Sequence, residues 1–150
     1  MQRDDDGGRP KRNPEQVYDA LTGQIKLWWS NEVSFERDHF TIGFGETKKS
    51  FRTATPDYNE AGYEIVWKCT QANLLHPEVQ TPNEWVGTNI IWAIEPHPSG
   101  AKITMTHDGL NEALECFDIC AQGWDFFFLD SLKGYLATGQ GKPFTSLQAV

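Results

Sequence analysis

The residues best placed to do chemistry are His107 and Asp108, inside the segment THDGL at 106–110. An imidazole on the inward side of a strand titrates near neutrality and could orient a ligand or pass a proton. The stronger expectation is structural: the two side chains satisfy backbone groups where the last strand hands over to a helix. His39, His76 and His97 have polar or proline neighbours and are expected at the surface. Cys116 and Cys120 are one helical turn apart and, with Cys69, make three cysteines. An odd number inside regular elements suits reduced core thiols better than disulfides. No further ligands lie nearby in sequence, so no metal site is assigned. Ser131 has no accompanying base or oxyanion pattern. GFGETKK lacks the spacing of a phosphate loop and falls between two strands. No catalytic residue and no cofactor are therefore assigned.

Aromatic residues carry the other signal. At 100° per residue, 112–136 reads as one long helix with Leu114, Phe117, Cys120, Ala121, Trp124, Phe128, Ser131, Leu132 and Tyr135 on one stripe. Asp118, Asp125 and Lys133 lie off that stripe, while Ile119 and Phe126 point almost opposite to it, towards a loop or a second copy. The expected pocket wall is Phe44, Phe51, Tyr63, Trp67, Trp92, Met105 and His107 from strands, with Phe117, Trp124 and Phe128 from the helix. Such a wall suits a planar or lipid-like molecule. It would equally serve as a filled core, because periodicity does not measure empty volume.

The elements that must position these residues read as follows. Residues 1–13 are polar and without period, and are expected to be a disordered tail. Asn13 caps a short helix that opens at Pro14 and ends near Gly23. A second helical piece, 24–29, carries Trp28 and Trp29; one is expected in the core and the other at a rim. From Val33 the period shifts towards two. Phe40, Ile42 and Phe44 share a face, and a following strand with Phe51 and Thr53 is expected to stop at Pro56. Tyr63, Ile65, Trp67 and Cys69 face one way in the clearest strand of the chain. Residues 71–83 form a loop that could gate a pocket. Trp85 is expected to open a strand, 95–100 to turn, and 102–106 to form the last strand; 144–150 is a tail. Short turns between such strands indicate an antiparallel meander, and the fold class is α+β.

The 150 residues carry a formal charge of −8, which disfavours nucleic acid and anionic membranes as partners. No apolar run long enough to span a bilayer and no signal-peptide core is present, so a soluble cytoplasmic protein is expected.

VYDALTGQIKLWW, FTIGFG, VWKC, EWVGT, THDGL and GWDFFFLDSLKGYLATGQGKP, in this order, resemble the START-like SRPBCC superfamily, in particular its branch of heat-shock-protein-90 ATPase activator homologues. The resemblance covers residues 14–143. It implies a helix-grip (Bet v 1-like) fold, a curved antiparallel sheet around a long C-terminal helix with a cavity between. Members usually begin with a strand, whose place here is taken by RPKRN. A missing strand would leave a sheet edge open to a second copy, a homodimer. The first functional expectation is a non-enzymatic protein binding a hydrophobic small molecule, oriented by His107 and Tyr63. The second is an enzyme of the same fold using His107. The third, implied by the family name alone, is stimulation of a chaperone ATPase.

Overall fold

Alternation of apolar and polar residues builds the strands into one sheet that wraps a C-terminal helix. The structure is a computed structural model, which describes residues 1–5, 13–44, 50–59, 63–98 and 100–145. Its strands are β1 (Gln2–Asp5), β2 (Glu32–Phe35), β3 (Phe40–Gly43), β4 (Phe51–Asn59), β5 (Glu64–Asn73), β6 (Asn89–His97) and β7 (Gly100–Asp108). They form a seven-stranded sheet in the order β1-β7-β6-β5-β4-β3-β2, with every neighbouring pair antiparallel. Helix α1 (Pro14–Thr22) starts at Asn13, whose side chain accepts from Gln16 N–H while Gln16 Oε1 accepts from Asn13 N–H. This reciprocal cap satisfies two donors that a helix start would otherwise leave open. A 3₁₀ turn, Ile25–Leu27, follows. This is the α+β helix-grip fold.

The inner face of the sheet is set by cross-strand register. Ile65, Trp67 and Cys69 of β5, Ile90, Trp92 and Ile94 of β6, and Ile103, Met105 and His107 of β7 all turn inward and are buried. In β4 the parity is the reverse of that expected. Arg52 lies opposite Ile42 and Ala54 opposite Phe40, so Arg52 faces inward. Phe51 and Thr53 take the outer face, where Thr53 Oγ1 lies 2.9 Å from Thr41 Oγ1. Pro56 does not end the strand. Beyond Ala54, β3 no longer accompanies β4, so the missing N–H falls on an edge and costs no ladder bond. Trp85 sits in the turns before β6 rather than in the strand, and β6 continues through Pro96 to His97.

Residues 2–5 are not a disordered tail. They form β1, paired with β7 from Gln2 opposite Thr106 to Asp5 opposite Ile103. The strand precedes RPKRN, most of which lies outside the described residues. Its inward side chains are charged and meet the flank of the helix: Arg3 Nε is 2.6 Å from Asp125 Oδ1, and Lys133 Nζ is 3.6 Å from the buried Asp5. Main-chain pairing needs no apolar sequence, which is why composition hid this strand.

The C-terminal helix begins at residue 117, not 112. It comprises α2 (Phe117–Trp124), a π-helical stretch Asp125–Leu132, and α3 (Lys133–Thr138). Asn111 Oδ1 accepts from Ala113 N–H in a turn that delays the helix. Glu84 accepts the N–H groups of Glu115 and Cys116 at 2.9 and 3.0 Å. The turn that leads into the helix is thus held by a carboxylate remote in sequence. Phe144 is tied to the domain, because its N–H donates to Trp29 O and its carbonyl accepts from Asn31 N–H; residues 146–150 lie outside the described set.

Candidate functional site: a partly open cavity under the C-terminal helix

A cavity of about 230 Å³ lies between the inner sheet face and the helix. Trp29 reaches it from the segment after the 3₁₀ turn, Phe44 from just beyond β3, Ser50 from just before β4, and Arg52 from β4 itself. Leu74 and Leu75 come from the loop after β5, which begins at residue 74 rather than 71 because β5 runs on to Asn73, and Trp85 from the turn before β6, while the helix contributes Ile119, Cys120, Gly123, Trp124 and Phe127. The loop is held in place, since Glu115 accepts from Gln80 and Thr81 N–H and Ser50 Oγ accepts from Leu75 N–H at 3.3 Å. Ile119 therefore faces the loop, whereas Phe126 is exposed and touches Phe127 edge-on. Gly123 matters by its absent side chain, because a Cβ there would meet nothing within 4 Å.

Of the expected wall, Phe44 and Trp124 border this cavity. Trp67, Trp92, Met105, His107 and Phe128 are sealed in the packed core, and Phe51, Tyr63 and Phe117 are half-buried elsewhere. Trp67 and Trp92 meet edge to face at 5.3 Å, and Trp92 meets Phe128 likewise at 5.4 Å. Trp28 and Trp29 are both buried with nearly parallel rings, 5.8 Å apart. Adjacent tryptophans thus do share the interior, with Trp28 in the core and Trp29 on the cavity.

His107 is a clamp. Thr88 Oγ1 donates to Trp85 O at 2.7 Å, so it accepts from His107 Nε2–H at 2.9 Å. Trp124 Nε1–H donates to His107 Nδ1 at 3.0 Å. The ring is thereby fixed as one neutral tautomer. Burial, then the charges of the Met1 amino group and Arg52, hold its pKa down to about 3. This bond set joins EWVGT, THDGL and the helix, and Gly109 is needed there because a Cβ would lie 2.8 Å from Thr88. His107 offers the cavity no acid or base. Ser131 is also committed, donating to Trp28 O and accepting from Lys142 N–H.

Among the described residues, Arg52, Cys120 and Ser50 bring polar groups to the cavity. Arg52 is only 8% exposed, and its guanidinium lies 4.8 Å from the Trp85 ring and 5.4 Å from Phe44. Nη1 is buried without a hydrogen-bond partner. Burial lowers the Arg52 pKa, opposed by the neighbouring thiols of Cys120, Cys69 and Cys116. Cys120 Sγ accepts from Trp85 Nε1–H at 3.1 Å. The Cys116 hydrogen bond, the indole N–H and Arg52 pull the Cys120 pKa below the usual thiol range against the effect of burial. The same pairing, with burial, pushes Cys116 up, and burial raises Cys69 to about 11. Among the described residues, no group of three or more His, Cys, Asp or Glu could hold a metal ion, and no helix is long and apolar enough to cross a membrane.

Sheet, gripped helix and the recess between them define the class of helix-grip proteins with a cavity on the inner sheet face. The chain belongs to the Activator of Hsp90 ATPase homolog 1-like protein family, which it matches over residues 11–137. It is similar to the Aha1 dimer from Colwellia psychrerythraea, solved in solution, at 24% identity and a TM-score of 0.69, over 94% of this chain and 99% of that one. A protein from Mesorhizobium loti is 17% identical with a TM-score of 0.65, over 91% and 94% of the two chains. An AHSA1-like protein from Aeromonas hydrophila is 14% identical with a TM-score of 0.59, over 93% and 92%. No curated protein matches the sequence.

Proposed function

We propose that the protein binds a small, largely apolar molecule in the cavity between sheet and C-terminal helix. One observation carries the reading: the helix packs on β6 and β7 through Trp124 and Phe128, yet beside Gly123 an aromatic-walled space of about 230 Å³ stays open. Natural interiors seldom leave voids of that size unfilled. It is half as large again as the roughly 150 Å³ cavity that takes up a benzene, so it suits one ring with a short substituent. Three free, buried thiols accord with a reducing cytosolic setting.

The test is Gly123→Leu, which fills the space from a helical position with room for a side chain. Tryptophan fluorescence titration with neutral 3-phenylpropionamide should saturate for the native protein and weaken at least tenfold for the variant, with thermal stability kept. Absence of saturable binding by the native protein, together with nothing released from it in native mass spectrometry, would sink the reading. Self-association is a second reading, favoured by the dimeric Colwellia psychrerythraea relative and by Phe35, 49% exposed on edge strand β2. Sedimentation velocity across a concentration series decides it. The family name adds stimulation of a chaperone ATPase, for which no residue described above argues.

A further inference from the structure

A buried ion is costly unless something of opposite charge meets it. Arg52 stands at an inward position of β4, is 8% exposed, and among the described residues pairs with no carboxylate. Two aromatic faces flank it, at 4.8 and 5.4 Å, and these attract a cation but do not accept its N–H groups in its plane. The cavity that it borders is otherwise walled by Trp29, Phe44, Trp124 and Phe127. Ser50 accepts Leu75 N–H, which leaves the hydroxyl proton free to donate beside Arg52. Among the described residues the space has one fixed cation, one hydroxyl donor and an aromatic lining, an asymmetric set whose complement is a molecule with one anionic end.

We infer that the cavity takes an aromatic or short-chain monocarboxylate, with its carboxylate on the Arg52 guanidinium and its apolar body against the aromatic wall. This rests on the reading of the cavity as a ligand site. A planar fork of N–H donors matches a carboxylate, and Arg is preferred over Lys wherever such planar recognition occurs. A doubly charged phosphate group would need a second cation, and among the described residues Arg52 alone brings a cation to the cavity. Cys120 is the only other group there able to carry negative charge. Its sulfur already accepts the Trp85 N–H, and the carboxylate of a ligand is the group left to meet Arg52.

The experiment is a calorimetric titration of the native protein with three matched probes: 3-phenylpropionate, 3-phenylpropionamide and 3-phenylpropylamine. The carboxylate should bind at least tenfold more tightly than the amide, and the amine more weakly than either. Arg52→Met should erase the preference for the carboxylate and still bind the amide. Equal affinity for carboxylate and amide in the native protein overturns the inference and leaves the apolar-ligand reading standing, whereas failure of all three probes overturns both. Should Arg52→Met not fold, the ranking of the probes by the native protein decides alone. A carboxylate preference that survives in a folded Arg52→Met also overturns it, as the anion would then be met elsewhere.

Discussion

An imidazolium at position 107 would have no lone pair for the Trp124 indole N–H, because Nδ1 is the atom that accepts it. Protonation therefore breaks a buried bond as well as burying a charge. The sign follows from the depressed pKa. The unfolded chain binds this proton near pH 6.5 and the folded one near 3, so the stabilisation is complete above 6.5 and is lost as pH falls between those values. The expected slope is about 1.4 kcal/mol per pH unit from this group. Melting curves of the native protein and His107→Gln at pH 7 and 4.5 check it: the variant should start less stable and lose less on acidification, and equal losses would refute the assignment. That His107 faces inward was legible, since it continues the alternation of Ile103 and Met105. That it is sealed was not, because its partners Thr88 and Trp124 lie 19 and 17 residues away. Arg52 was illegible for another reason. Alternation assigns the charged residue to the outer face, and only the register with Ile42 reverses that.

Glu84 and Glu115 act between elements. Glu84 reaches from the turn before β6 to the N–H groups of Glu115 and Cys116, just ahead of the helix, and Glu115 reaches back to the loop, so each segment ties down the other. Removing a carboxylate that accepts main-chain N–H groups costs about 1.5–3 kcal/mol, and a negative group also suits the nearby positive helix end. Glu84→Ala should lower the urea midpoint by an amount equivalent to that range with an unchanged slope; no shift would mean that water caps the helix as well. A cap from 31 or 32 residues upstream has no local signature. The strands of the meander were legible because their inner faces alternate cleanly. Strand β1 was not, since its inward residues Arg3 and Asp5 find their complement in Asp125 and Lys133 of the helix, outside the apolar stripe.

Across the whole molecule, the helix is held at several points along its length by parts of the chain remote in sequence. Glu84 fixes its start, Ser131 donates to Trp28 O, and Tyr135 Oη donates to Gln24 Oε1. All six tryptophans are buried around it, and the two indole N–H groups without hydrogen-bond partners, Trp67 and Trp92, lie in the same layer. The distance between these anchor points belongs to the sheet, not to the helix. The π-helical stretch Asp125–Leu132 lies among these anchors. Because a π turn closes its bond one residue later than an α turn, it takes up an extra residue while leaving both flanks in phase. That segment is thus a slack length in an otherwise fixed span. Deleting the exposed Phe126 should tighten it into ordinary α-helix, with folding and the near-ultraviolet tryptophan signal preserved. Deleting Gln122 from α2, where no slack exists, should rotate everything beyond it by about 100° and abolish the fold. Between residues 125 and 132, then, the chain has a place where its length can shorten by one residue without moving the cavity wall that α2 supplies.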